Sequence, residues 1–101
     1  MILTGKAKED FLEYYNNHSI KYLLSWTDFD DLPLVVKNAL IIEWFDSVGI
    51  YINIENLYYQ SWWYYKVKKC PDTYEQVIMQ NTRQEATEEA IKKANEIYNN
   101  L

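Results

Sequence analysis

The chain has 101 residues, 49% of them apolar and 17% aromatic, with a formal net charge of −5 at pH 7. That length suits one domain, residues 1–101, burying roughly two thirds of the surface it exposes when unfolded, with no need of a metal or disulfide staple. The apolar content excludes a disordered chain, and the acidic balance argues against broad nucleic-acid binding, whose affinity comes from counterion release by lysine and arginine.

A lone cysteine, Cys70, cannot form an intramolecular disulfide and fits a reducing compartment. The opening Met1-Ile2-Leu3-Thr4-Gly5-Lys6 turns polar at once, without the apolar core of a signal peptide. Ala39 to Ile42 is far too short to cross a membrane. A cytoplasmic protein is therefore expected.

Thr4 is placed to cap a first helix over Lys6 to Asn16, with Ala7, Phe11, Tyr14 and Tyr15 on one side. Ile20 to Leu32 reads as irregular or briefly helical, anchored by its aromatics. Asp30 or Asp31 then caps a second helix with Pro33 in its first turn. Its apolar face holds Val36, Ala39, Leu40, Trp44 and Val48 and is widened by Val35, Ile42 and Phe45, which predicts a central helix covered on more than one side. Gly49 closes it as a C′ glycine.

From Ile50 the pattern alternates, with Ile50, Ile52 and Ile54 opposed to Tyr51, Asn53 and Glu55. A turn in Asn56 to Ser61 leads to a strand over Trp62 to Lys69, and a turn over Cys70 to Thr73 leads to a third over Tyr74 to Met79. Short turns imply an antiparallel meander. Thr82 and Glu85 form a capping box for a last helix, whose buried stripe is Ala86, Ala90, Ala94, Ile97, Tyr98 and Leu101. Glu88–Lys92 and Glu89–Lys93 sit at i, i+4 on its outer side. The expected fold class is α+β: a three-stranded antiparallel meander packed against helices, in the order α-α-β-β-β-α.

Three stretches carry a resemblance: Leu3-Thr4-Gly5-Lys6-Ala7-Lys8-Glu9-Asp10-Phe11, Glu43-Trp44-Phe45-Asp46-Ser47-Val48-Gly49-Ile50-Tyr51-Ile52, and Thr82-Arg83-Gln84-Glu85-Ala86 with Ala90 to Asn99. Together they resemble a group of small proteins carried by phages and mobile elements of gut bacteria, a group with no assigned activity. The resemblance implies a phage or mobile-element origin and supplies no catalytic residues. At the level of fold, the meander followed by an alanine-rich helix is similar to HicB-type antitoxins, and helix, three strands, helix is similar to double-stranded-RNA-binding domains.

The chain is poor in catalytic material. Cys70 and His18 are its only cysteine and histidine, one beside a Pro-Asp turn and the other at a polar helix end. Structural zinc needs four such ligands. Asp28, Asp30 and Asp31 lack the glycine and twelfth-position carboxylate of a calcium loop and read as helix-capping residues. Glu43, between Ile42 and Trp44, is the nearest approach to a carboxylate with an apolar neighbourhood, and it reads as solvent-facing or paired with a lysine. Two glycines leave no phosphate-binding loop. No enzyme, no metal and no cofactor are expected.

The anomaly is the strand from Trp62 to Lys69. Trp63, Tyr65 and Val67 share one side, the natural core side, and Trp62, Tyr64, Lys66 and Lys68 the other. Large aromatics on the lysine side forgo several kcal/mol of burial if left in water. Either another helix or the N-terminal segment covers them, or they bind a protein or a second copy, or they stack bases while Lys66, Lys68 and Lys69 meet phosphates. Trp62, Tyr64, Lys66 and Lys68, with Tyr51 of the preceding strand, are the candidate binding face. A protein partner or self-association is expected ahead of nucleic acid, and no membrane.

Overall fold

A computed structural model describes residues 1–17, 27–57, 62–78 and 82–101. Helix α1 spans Gly5–Asn17, a 3-10 turn spans Phe29–Asp31, and helix α2 spans Leu34–Ser47. Strands β1 (Tyr51–Leu57), β2 (Trp62–Lys69) and β3 (Asp72–Ile78) follow, and helix α3 (Arg83–Asn99) ends the chain. The sheet is antiparallel in the order β1-β2-β3, so the architecture is the α+β meander anticipated above.

The core forms where the helical periods put their large side chains. Ala7, Phe11 and Tyr15 of α1 are buried, and Tyr14 is half-buried at the edge of their stripe. Phe11 meets Phe29 edge-on at 4.8 Å between ring centroids and Trp44 at 5.8 Å, and Trp44 continues to Tyr98 at 5.0 Å. Three helices and the 3-10 turn thus share one aromatic cluster, an arrangement in which ring quadrupoles favour tilted and edge-on contacts. On the sheet side, Ala86, Ala90 and Ala94 of α3 are fully buried, as is Val67 of β2. The absence of bulk at the three alanines brings the α3 backbone close to the sheet.

Side chains of α3 also fasten the N-terminus. Asn99 Oδ1 accepts from the Ala7 N–H at 2.8 Å while its Nδ2 donates to the Thr4 carbonyl at 3.0 Å. Asn95 Oδ1 accepts from the Thr4 N–H and its Nδ2 donates to the Thr4 hydroxyl, each at 3.0 Å. The first-turn N–H groups of a helix have no partner within it, and here the Ala7 N–H finds one at the far end of the chain. Gly5 takes φ of +56° directly beside the Asn99 amide, a left-handed conformation that glycine adopts without cost. One turn further along, the Tyr98 hydroxyl donates to the Asp10 carboxylate, which Lys6 also pairs at 3.2 Å.

Several expectations are corrected. Pro33, not an aspartate, is the N-cap residue of α2, and Asp30 and Asp31 lie within the 3-10 turn instead. The turn between β2 and β3 uses only Cys70 and Pro71, so β3 begins at Asp72, and Ile50 is a buried residue preceding β1. Leu101, placed on the buried stripe by its spacing, is exposed beyond the end of α3, while Ile91 is fully buried beside the alanines. Lys92 and Lys93 pair at i, i±3, with Glu89 at 3.2 Å and Glu96 at 3.5 Å.

Helix α2 is the largest departure. Its buried residues are Asn38, Leu40, Ile41, Trp44 and Phe45, whereas Val35 and Ala39 lie exposed. Among the described residues the helix is covered on one side, and an apolar stripe with Val35 and Ala39 is left uncovered. Ile20 to Trp26 and Met79, also assigned above, lie outside the described residues. Among the described residues no helix is long and apolar enough to cross a membrane.

Candidate functional site: the outer face of the sheet

Alternation along β2 divides its side chains as the sequence requires. Tyr65 and Val67 are buried beneath the helices and Trp63 is half-buried. The intervening residues face the other way, and strand register adds their neighbours. Tyr51 is opposite Lys68, Asn53 opposite Lys66, and Glu55 opposite Tyr64. On the β3 side Lys66 is opposite Glu75, Tyr64 opposite Val77, and Lys68 opposite Thr73. Residues directly opposite in an antiparallel pair share a face, so all five candidate residues, Tyr51, Trp62, Tyr64, Lys66 and Lys68, come together.

This face is open. Tyr51 is 53% exposed, Trp62 37% and Val77 44%. The helix or N-terminal segment that was one expected cover is not found among the described residues, which place α1, α2 and α3 with the core side. Four strand positions bring apolar or aromatic surface to water here, against a tendency of soluble chains to bury it.

Its electrostatics are balanced. Lys66 Nζ lies 3.5 Å from Glu75 Oε1. The Tyr64 hydroxyl hydrogen-bonds the same carboxylate. Tyr64 is held above the usual phenol range, first by desolvation, then by its bond to and the charge of Glu75, and by Glu55. Asn53 Nδ2 donates to Glu55 Oε1 at 3.5 Å. Lys66 and Lys68 thus share the face with Glu55 and Glu75, lysine and glutamate in equal number. Ion pairs this exposed contribute little to stability, but they remove the positive field that a phosphate backbone would need.

Val77 and Glu75 were missed in the sequence. Their signal was present, since alternation across Tyr74 to Ile78 puts them on one side, but pairing them with Tyr64 and Lys66 required the hairpin register. Lys69, grouped with the other lysines above, points the other way and joins Asp72, Tyr74 and Glu96 around a hollow at the end of the sheet.

The residues considered for chemistry do not converge. Cys70 is exposed in its turn, Glu43 is exposed on α2, and His18 lies outside the described residues. Asp46, three residues from Glu43, is raised above the usual carboxylate range by burial and then by the Glu43 charge. The described residues contain no group of three His, Cys, Asp or Glu placed to hold a metal ion. No protein-family model, no curated protein and no solved structure matches the chain.

Proposed function

We propose that the chain is a non-catalytic accessory factor that binds another protein through the outer face of its sheet. The observation that carries this reading is the exposure of Tyr51, Trp62 and Val77 around Tyr64 on a rigid three-stranded surface. Aromatic anchors ringed by polar residues are the composition of protein interfaces, where Tyr and Trp supply much of the binding energy. The balanced lysines and glutamates favour a protein partner over nucleic acid, the alternative in which Trp62 and Tyr64 stack bases. The resemblance to proteins of phages and mobile elements makes a host protein the proposed target, with inhibition as the proposed effect.

The test is affinity capture from a nuclease-treated bacterial lysate, comparing the chain with its Trp62→Ser/Tyr64→Ser variant. Both must first give the same far-UV circular dichroism and melting curve. A protein retained by the parent and lost by the variant supports the reading, with weak dependence on salt. Equal capture by both moves the interface off this face. Binding to added oligonucleotide with a steep salt dependence replaces the reading with the nucleic-acid one.

A further inference from the structure

The outer face of the sheet divides into two unlike halves along β2. Its outward residues run Trp62, Tyr64, Lys66, Lys68: two aromatics, then two lysines. Beside Tyr64 lie Glu55 of β1 and Val77 of β3, so the aromatic half is apolar and acidic. Beside Lys66 lie Asn53 and Glu75, so the lysine half is net basic. Glu75 pairs with Lys66 at 3.5 Å, whereas Lys68 is exposed and meets no carboxylate among the described residues. An unneutralised cation thus stands at one end of the face and an exposed indole at the other. At the rise of a strand they are about 20 Å apart, so neither can meet the other within one molecule.

A second copy of the chain can bring them together. Sheets stack face to face about 10 Å apart with their strands nearly aligned, and a two-fold axis relating two such sheets lies between them. Two settings of that axis keep the strands aligned. An axis along the strands lays Lys66 and Lys68 on the same lysines of the other copy and Trp62 on its counterpart, like upon like. An axis across the strands, passing between Tyr64 and Lys66, reverses one β2 over the other. Lys66 then faces the other copy's Tyr64 and Lys68 its Trp62, each contact made twice, and Glu55 comes onto the lysine half. Cation over ring and charge over opposite charge make the face complementary to itself in this setting alone.

We infer that the outer face pairs with the same face of a second copy, about a two-fold axis crossing β2 between Tyr64 and Lys66. Self-pairing rests on the reading of this face as a docking surface and adds its regulation, since the dimer hides the residues a host protein would need. The size of the face sets the strength of the pairing. Three strands of seven or eight residues cover a plan of roughly 23 by 14 Å, about 330 Å2. A stable interface takes about 800 Å2 from each partner. The dimer is therefore weak, with a Kd on the order of 100 µM, and a tighter-binding partner displaces it.

The experiment is sedimentation velocity of the whole chain from about 10 µM to about 1 mM, a range that brackets such an equilibrium. Monomer passing into dimer is expected. Lys68→Glu sets a carboxylate against the other copy's acidic, aromatic half and should weaken the dimer about tenfold or more. Adding Trp62→Lys to that variant should restore it, because positions 62 and 68 meet across the axis. Both positions are exposed, so both variants should keep the parent's far-UV circular dichroism. A monomer throughout, a dimer indifferent to Lys68→Glu, or a swap that restores nothing would each overturn the inference. A chain that stays monomeric yet captures a host protein through Trp62 and Tyr64 ends self-pairing and leaves the docking reading standing. A dimer broken by Lys68→Glu and restored by the swap, in a chain that captures nothing, supports self-pairing and ends the host-protein reading.

Discussion

Strand β2 carries aromatic residues on both of its faces, and the two faces use them differently. On the inner side Tyr65 and Val67 are buried under α3, whose alanines admit the sheet to close range. On the outer side Trp62, Tyr64 and the opposed Tyr51 and Val77 have no helix above them among the described residues. Identical local geometry thus yields one surface whose apolar area is committed to folding and another whose area is left over. Residue type does not separate the two faces, since both contain Trp and Tyr. What separates them, among the described residues, is the neighbour across the sheet: small residues on α3 inside and no helix outside. Stability should therefore respond to the inner face, and binding to the outer one.

The sharpest test of that division uses adjacent residues. Val67→Asp buries an unpaired carboxylate in the core and should cost on the order of 4 kcal/mol or more, enough to unfold a marginal domain. Lys68→Asp, one residue on and facing out, should change stability by no more than about 0.5 kcal/mol. Urea unfolding of both variants measures the difference. Comparable losses would mean that the outer face is covered after all.

The anchorage of α3 comes next in size. Asn99 satisfies the Ala7 N–H and joins the Lys8 N–H on the Thr4 carbonyl, and Asn99→Ala leaves the Ala7 N–H unmet. A loss of about 1–2 kcal/mol is expected, at the scale of a helix cap, with the amide of Ala7 losing protection from hydrogen exchange first. If α3 held its place through the sheet alone, the variant would melt with the parent.

The Asp10–Tyr98 bond on the same helix gives a pH signature. Asp10 is held below the usual carboxylate range, chiefly by the Tyr98 hydroxyl and also by Lys6. Its contribution is therefore present above the unfolded carboxylate pKa and is lost as pH falls through the lower folded value. Tyr98 is pushed up from 10.0 to about 12, first by the same bond and then by burial. Its contribution is whole below pH 10 and is lost as pH rises towards 12. Tyr98→Phe should flatten the melting temperature at both ends of the scale. An alkaline slope should persist in part, because burial also raises Tyr14, Tyr15 and Tyr65.

Much of the fold was legible because it is written in local periods. The bounds of β2 and the division of its faces follow from alternation alone, and Thr82 caps α3 by accepting from the Glu85 N–H at 3.1 Å, as its spacing implied. What could not be read depends on partners distant in sequence. Apolar residues around α2 reveal how much of its surface prefers burial, not how much the rest of the chain can cover, so Val35 and Ala39 were misplaced. Leu101 keeps the stripe's period after the helix has stopped. Ile91, one step off that stripe, is buried because α3 is enclosed on two sides, by the sheet and by the other helices. The candidate face was visible as five residues but not as a neutral one, since Glu75 joins it only through hairpin register. The clasp of Asn95 and Asn99 on Thr4 and Ala7 has no local signature at all.

The smallest effect on stability carries the largest consequence for function. Trp62→Ser removes a side chain at the rim of the outer face, 37% exposed, so its stability should match the parent's within the spread of ordinary surface substitutions, about 0.5 kcal/mol. Trp63→Ser, its neighbour, removes the ring that supports Arg83 from the half-buried inner side and should cost several times more. Measured together, the pair separates two origins of an aromatic doublet. If both substitutions destabilise alike, Trp62 belongs to the core and its exposure is incidental. If Trp62→Ser leaves folding intact while abolishing retention of a partner, the chain has kept a large aromatic at its surface against the pull of burial. The area it forgoes in folding is then the area it uses in association.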